Sequence, residues 1–398
     1  MIDLLLAESE ISDLARRIHP GENPEECIAR AAWTVIAEPG DAVAGALIQS
    51  AGAVEALALA VGDSSSLIAP GGASAAASRA LREGRARWRT RADPLAVGAA
   101  LRSAADVDAK LVIPGDVAWP AALEDLGPHA PSALWVRGRT ELLTREPRVS
   151  IVGARASSGY GEHVATELAG DLAATGAVIV SGGAYGIDGA AHRAALGVQG
   201  ATIAFLAGGV DRAYPAGHQS LLRRIAEEGA LVSEPPCGAA PTKWRFLARN
   251  RLIAALGHAT VVVEAGWRSG SLNTAGHAAA LGRPLGAVPG PVTSASSAGC
   301  HRLLREYDAQ CVTSAREVRE LLGSLDDGYE QGARVRESSH TRVLDALGTR
   351  SRLPIDEVAR RSGLSPDRVR AVLGLLHLEG DVALDGGGWY RAPASPSR

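Results

Sequence analysis

Apolar positions along this chain change their period twice. Over the first 105 or so residues they recur every three to four positions, in Glu25 to Ile36, Val43 to Ala60 and Ser74 to Arg89, with Gly and Pro between the segments. Pro24 suits the first turn of the earliest helix, and Pro39-Gly40 makes a turn between the first two. The pattern predicts an all-helical N-terminal domain over 1–105. Two forms are open for it, a small bundle or a SAM-like relative of the helix-hairpin-helix. A connector follows, carrying Ile113-Pro114-Gly115-Asp116, Trp119-Pro120 and Leu134-Trp135-Val136-Arg137-Gly138.

From about 146 to 312 the period shortens to aliphatic runs alternating with helices. The runs are Val149 to Val152, Ala177 to Val180, Thr202 to Leu206, Leu231 to Ser233, Thr260 to Val263 and Pro284 to Val288. Each ends in a loop of small, polar or acidic residues. Nearly continuous aliphatic strands separated by helices predict a buried parallel sheet. The fold class is therefore α/β, a Rossmann-like doubly wound core within residues 106–325. Residues 326–339, rich in Gly, Glu, Asp and Ser, read as a linker. The last block, 340–398, has the layout of a winged helix-turn-helix. Helical spacing runs over Arg342 to Leu347, Ile355 to Arg361 and Pro366 to Leu378, and Val382-Ala383-Leu384 with Gly388-Trp389-Tyr390 predicts a hairpin. Ser365 can cap the second helix of the motif, whose first turns carry Arg368 and Arg370 where base contacts are made in such modules.

At 398 residues two or three domains are expected. A net charge of −3 and a pI near 6.4 exclude a protein that coats DNA by bulk charge, so any nucleic-acid site must be a local basic patch. From residue 332 onward 11 Arg oppose 8 Asp or Glu, too mild an excess to assign the winged helix to DNA or to protein. Cys27, Cys237, Cys300 and Cys311 are scattered, without a metal-binding or disulfide spacing, which makes a reducing cytoplasm the expectation. Met1-Ile2-Asp3-Leu4 lacks a signal-peptide layout, and no uncharged apolar run reaches the roughly 18 residues of a membrane span.

The densest chemistry lies in Lys243-Trp244-Arg245-Phe246-Leu247-Ala248-Arg249-Asn250-Arg251. Aromatic faces stack on bases and cations pair with phosphates, so this composition suits a single-stranded nucleic acid. An amphipathic helix with a basic edge is the plainer alternative. The loops at the carboxyl ends of the strands, where open α/β sheets bind ligands, point the same way. After the first strand come Gly153-Ala154-Arg155, and after the second Ser181-Gly182-Gly183. Ser269-Gly270-Ser271 follows the fifth and opens a helix. Glycine admits an anion close to backbone N–H groups and helix N-termini. Arg155 stands where a dinucleotide fingerprint has its second glycine, and no acidic residue closes the second strand to hold a ribose. Two bare glycine loops suit a run of phosphates better than one dinucleotide. Asp188 and His192, four residues apart, read as an acid–base pair or as a helix cap with its neighbour. Glu234 and Glu264 end strands. With no nucleophile, metal cluster or Walker-type lysine beside them, they read as structural carboxylates that cap or that hold Arg249 or Arg251.

Taken together, these segments resemble the DNA-processing protein A family (DprA, also called Smf). The matching text includes Val152-Gly153-Ala154-Arg155, Ser181 to Asp188 with Ala191-His192, and Gly209-Val210-Asp211 with Tyr214-Pro215. It continues through Ser233-Glu234, Arg249-Asn250-Arg251, Glu264-Ala265 with Ser269 to Leu272, and Val288-Pro289-Gly290. The resemblance implies a cytoplasmic, non-enzymatic, cofactor-free binder of single-stranded DNA. Such a protein protects incoming strands during natural transformation (competence), loads the RecA recombinase and acts as a homodimer. It implies phosphate contact at Arg155, a Lys243 and Phe246 pair, and the triplet Arg249, Asn250 and Arg251. Two positions depart from the family pattern, His301 where an asparagine is usual and Leu247 where a proline is. The alternative is a hydrolase releasing bases from nucleoside monophosphates with Glu264 or Glu234 and Arg155, although its usual Pro-Gly-Gly-x-Gly-Thr loop is missing. A third reading is a transcription regulator working through the winged helix.

Overall fold

The computed structural model describes residues 1–19, 23–62, 75–323, 339–349, 351–386 and 388–392. Two compact units emerge, Met1–Gly323 and Ser324–Arg398. Of the linker read over 326–339, all but Ser339 lies outside the described residues.

Seven helices open the first unit: α1 (Ile2–Ala7), α2 (Ser9–Ile18), α3 (Pro24–Ile36), α4 (Ala42–Ala51), α5 (Ala53–Val61), α6 (Ala75–Arg89) and α7 (Pro94–Asp106). Asn23 caps α3 with Pro24 at its first position, and Asp93 caps α7 with Pro94 in the same place. The segment read as one helix over Val43 to Ala60 is two. Gly52, at φ 79° and ψ 160°, turns the chain in a conformation that side-chain-bearing residues rarely adopt.

The sheet has nine strands in the order β1-β2-β6-β5-β4-β3-β7-β8-β9. Strands β3 (Arg148–Val152), β4 (Val178–Ser181), β5 (Thr202–Leu206), β6 (Ala230–Ser233), β7 (Ala259–Val262), β8 (Leu285–Ala287) and β9 (Gln310–Cys311) run parallel. The connector contributes the other two. Lys110–Val112 (β1) and Leu134–Gly138 (β2) add antiparallel to the β6 edge, making the sheet mixed where a purely parallel one was expected. These strands are short and framed by Pro and Gly, and only pairing, of β2 with β6 and of β1 with β2, makes them strands.

Alternation within the strands sends side chains to two cores. Val152, Val178, Val180, Ile203, Phe205, Val232 and Val262 face α11 (Lys243–Leu256), α12 (Ser271–Ala280) and α13 (Ala298–Glu306). On the opposite face Val149, Ile151, Ile179 and Val261 meet α8 (Gly159–Ala174), α9 (Ile187–Gly197) and α14 (Ala315–Leu321). Ala204, Leu206 and Leu231 on that side join α10 (Gln219–Glu228) and the N-terminal helices in one shared core. Winding reverses between β3 and β7, so the crossover from β6 to β7 carries α11 behind the middle of the sheet.

The second unit holds a helix over 339–346 (α15), α16 (Ile355–Ser362), α17 (Pro366–Glu379) and a hairpin of β10 (Val382–Asp385) and β11 (Gly388–Arg391). Val343, Val358, Val369, Leu373 and Val382 form its own core. This is a winged helix, with Ser365 accepting the Arg368 N–H at the start of α17. None of the described helices is long and apolar enough to cross a membrane.

Trp135 joins the helical block to the sheet. It is fully buried, and its Nε1–H donates to Thr34 Oγ1 of α3 at 3.2 Å. Trp135→Ala is expected to destabilise the first unit by about 3–5 kcal/mol, read as a lowered urea midpoint.

Candidate nucleic-acid interface

In an open parallel sheet the two loops beside a reversal of winding part to leave a crevice at the carboxyl edge. Here those loops follow β3 and β7, and the first half of α11 closes the crevice from below. Thr242 starts α11 by accepting the Arg245 N–H, and no glycine interrupts the helix before Gly257. Lys243 and Trp244 in its first turn are exposed, Phe246 is half-buried, and Arg249, Asn250 and Arg251 are buried.

The crevice encloses about 430 Å³ and is lined by Gly153, Arg155, Phe246, Arg249, Ser269 and Ser271, among others. Asn250 and Gly270 also line it. The Arg155 guanidinium stands 4.6 Å from the Phe246 ring centre, that of Arg249 stands 6.0 Å from it, and the Tyr214 ring is 5.7 Å away. Arg155 is exposed and enters no ion pair among the described residues. Arg249 is 5% exposed. It spends one donor on the Phe205 carbonyl at 2.9 Å, while its buried Nε has no partner among the described residues. Burial pushes this guanidinium down to about 10, which leaves it charged at neutral pH. Asp188 lies beneath, its carboxyl raised by burial despite the Arg249 charge and the amides of Ala184 and Gly182. The result is two cations around one aromatic ring, with guanidinium hydrogen-bonding capacity unspent.

Several residues read as ligand contacts do something else. Ser181 is fully buried and donates to the Ile151 carbonyl at 2.6 Å. The second glycine loop is no phosphate cradle, because its amides are already used. Gly182 N–H donates to Asp188 Oδ2 at 3.2 Å and Gly183 N–H to His192 Nε2 at 3.2 Å. The Arg249 guanidinium occupies the space a Cβ at 182 would take, so a side chain there would have to displace it. Arg251 faces away from the crevice. It pairs with Glu234 at 2.8 Å and donates to the His129 carbonyl at 2.9 Å. Asn250 ties α11 to α12 through the Gly270 carbonyl at 3.3 Å and Asn273 at 3.2 Å. Lys243 is unpaired among the described residues but stands outside the crevice lining.

The two carboxylates considered for catalysis are structural. Glu264 accepts the Ser158 N–H at 2.8 Å at the start of α8, and Glu234 is held by Arg251 and the Gly40 N–H. Asp188 and His192 serve backbone amides and make no acid–base pair. His301 meets the Gly290 carbonyl at 2.9 Å. Arg268, which the sequence places in the loop with Ser269-Gly270-Ser271 but not among the expected contacts, lines the crevice, is exposed and is in no ion pair among the described residues. Its place directly before Ser269 was the available signal. Among the described residues no His, Cys, Asp and Glu cluster is arranged to hold a metal.

Comparison with known proteins agrees with this architecture. A profile for "DNA recombination-mediator protein A" matches residues 110–323, and one for the "DprA winged helix domain" matches 330–388. A relative from Mycobacterium tuberculosis named "Putative DNA processing protein DprA" is 48% identical over 70% of this chain and 76% of its own length. "Protein Smf" of Escherichia coli is 38% identical over 66% and 72%. The X-ray structure of DNA processing protein A from Streptococcus pneumoniae superposes with a TM-score of 0.58 at 28% identity, covering 74% of this chain and 96% of that one.

Two outcomes check the site's construction. Glu234→Ala leaves Arg251 buried without its counter-charge and is expected to cost about 3–5 kcal/mol in urea unfolding. His192 accepts the Gly183 N–H at Nε2 and donates from Nδ1 to Thr202 Oγ1 at 2.7 Å, so it sits as a neutral imidazole. Burial, with the nearby His218, holds it down at about 3 against an ordinary 6.5. The unfolded chain takes up this proton below about pH 6.5 and the folded one only near 3, so stability falls as pH drops through that window. His192→Gln should flatten the wild-type loss between pH 6.5 and 3, measured as thermal midpoints.

Proposed function

The chain belongs to the DprA/Smf family, whose members are DNA-processing proteins and not enzymes, and on that footing we propose that it binds single-stranded DNA in the crevice between the β3 and β7 loops. The observation that carries this reading is the pairing of Arg155 and Arg249 around the Phe246 ring, with Arg249 Nε buried and unpartnered among the described residues. The Arg249 guanidinium lines the crevice with only one donor spent among the described residues, on the Phe205 carbonyl, and a phosphate oxygen accepts from such a fork. Arg155, Lys243 and Arg268 are exposed cations without ion-pair partners among the described residues. They provide the local basic patch that an overall charge of −3 requires. Ser269 and Ser271, whose hydroxyls lie 2.7 Å apart, add hydrogen-bonding groups at the α12 N-terminus.

Arg155 rests on the Phe246 ring, so a base stacking on that face displaces the guanidinium onto a phosphate. One movement engages both. Protection of incoming strands, RecA loading in natural transformation, homodimer formation and a cytoplasmic location belong to the same proposal and rest on family membership. The base-releasing hydrolase has no support here, since Glu234 and Glu264 are both committed to structural partners.

Phe246→Ala is expected to weaken single-strand binding by about 5- to 150-fold, the worth of one stacked base, with the thermal midpoint little changed. Lys243→Ala should weaken binding and lower the salt slope by about 0.7, as loss of one phosphate contact does. Fluorescence anisotropy with a labelled oligonucleotide reads both. Unchanged affinity in the two variants contradicts the proposal.

A further inference from the structure

Exposed aromatic side chains are concentrated on one edge of this molecule. In the loops and helix starts that follow β3, β4, β5, β6 and β7, the exposed large apolar side chains among the described residues are aromatic apart from Leu247 at the crevice. The aromatic ones are Tyr160, Tyr185, Tyr214, Trp244 and Trp267, between 45% and 64% exposed. Five strand ends thus supply one each. By the strand order they fall on both sides of the crevice, with Tyr185, Tyr214 and Trp244 toward β4–β6 and Tyr160 and Trp267 toward β3 and β7.

Most of these rings are braced. Tyr160 Oη donates to the Pro289 carbonyl at 2.6 Å, and Tyr185 Oη accepts the Gly217 N–H at 3.1 Å. Tyr214 packs on Phe246, and the Arg302 guanidinium stands 5.5 Å from the Trp267 ring centre and 5.6 Å from that of Tyr307. A ring fixed at its polar end or by a cation loses little entropy when a planar partner covers its free face. Charge on this edge is weighted toward cations as well, with Glu162 as an exposed carboxylate that accepts from the Ser157 hydroxyl. Arg155, Lys243 and Arg268 are exposed and unpaired among the described residues, whereas Asp188, Glu234 and Glu264 are buried. Planar aromatics interleaved with free cations fit a polyanion carrying planar bases.

We propose that a bound single strand extends beyond the crevice in both directions along the carboxyl edge of the sheet, its bases stacking on Trp244 on the β4–β6 side and on Trp267 on the β7 side. This rests on the single-strand reading of the crevice and adds a path to it. Five strands spaced about 4.8 Å apart give an edge about 20 Å long, enough for several nucleotides. Stacking alone carries no sequence code, so the path accepts any base.

The test uses the full chain and oligothymidylates of two lengths, one long and one of about four nucleotides, at the short end of single-strand site sizes. Trp33, Trp88, Trp119 and Trp135 are buried and Trp389 of the winged helix is half-buried against His377, so the part of the tryptophan quenching that Trp244→Phe or Trp267→Phe removes is the part that reports on the path. The long oligonucleotide should quench the wild type, and Trp244→Phe and Trp267→Phe should each remove part of that amplitude. Trp267→Ala should weaken the long oligonucleotide at least fivefold by anisotropy and leave the short one unchanged, with an unaltered thermal midpoint. Normal anisotropy binding with full affinity in Trp244→Ala and Trp267→Ala, and no quenching in the wild type, overturns the path and leaves the crevice intact. Absence of anisotropy binding by either length overturns the crevice reading, and the path falls with it.

Discussion

The buried ion pair between Arg251 and Glu234 sets the position of everything at the carboxyl edge. Both side chains are nearly inaccessible, at 6% and 9% exposure, and each alone would be prohibitive to bury. Together they tie α11 to the end of β6, and Glu234 also takes the Gly40 N–H from the turn between α3 and α4. A second clamp lies nearer the helix start, where Arg245 reaches Glu38 of the same turn region at 3.1 Å. Burial alone would raise the Glu38 carboxyl, but Arg245 and Arg91 outweigh it and hold it below the usual range. The N-terminal helices are therefore part of what positions the crevice.

That clamp separates two classes of cation on one helix. Residues 249 and 251 are two positions apart, about 200° around a helix axis, and so point to opposite sides. Arg249 reaches the crevice and Arg251 the interior behind it. Most surface arginines elsewhere are spent on local carboxylates, as in Arg30 with Glu26 and Arg224 with Glu228. At the carboxyl edge Asp188, Glu234 and Glu264 are buried instead, and Arg155, Lys243 and Arg268 stand free of ion pairs among the described residues. A slightly acidic protein thus presents a cluster of unpaired cations around this crevice.

The apolar runs of β3 to β8 were legible in the sequence because a parallel sheet buried on both faces demands continuous aliphatic residues. The winged helix was legible from its spacing and the Ser365 cap. Strands β1 and β2 were not, since three and five residues among prolines and glycines carry no period long enough to count. The glycine loops misled for a physical reason. A glycine in such a loop suggests room for a phosphate, but at 182 it makes room for Arg249, and at 153 for Ile187. Whether a loop's amides are free depends on partners far along the chain or around the turn, here Asp188 and His192, which composition does not reveal. The sequence leaves open which of Arg249 and Arg251 a strand-end carboxylate holds; Glu234 holds Arg251, and helical periodicity then sends Arg249 to the other side.

The central claim is a local, sequence-tolerant single-strand site on a protein of slight net negative charge. Titrating the full chain against mixed-sequence single-stranded and double-stranded oligonucleotides at two salt concentrations addresses it directly. The account predicts tight binding to the single strand that weakens steeply with salt, and weak binding to duplex. Equal binding to both forms, or binding to the single strand that ignores salt, would contradict it.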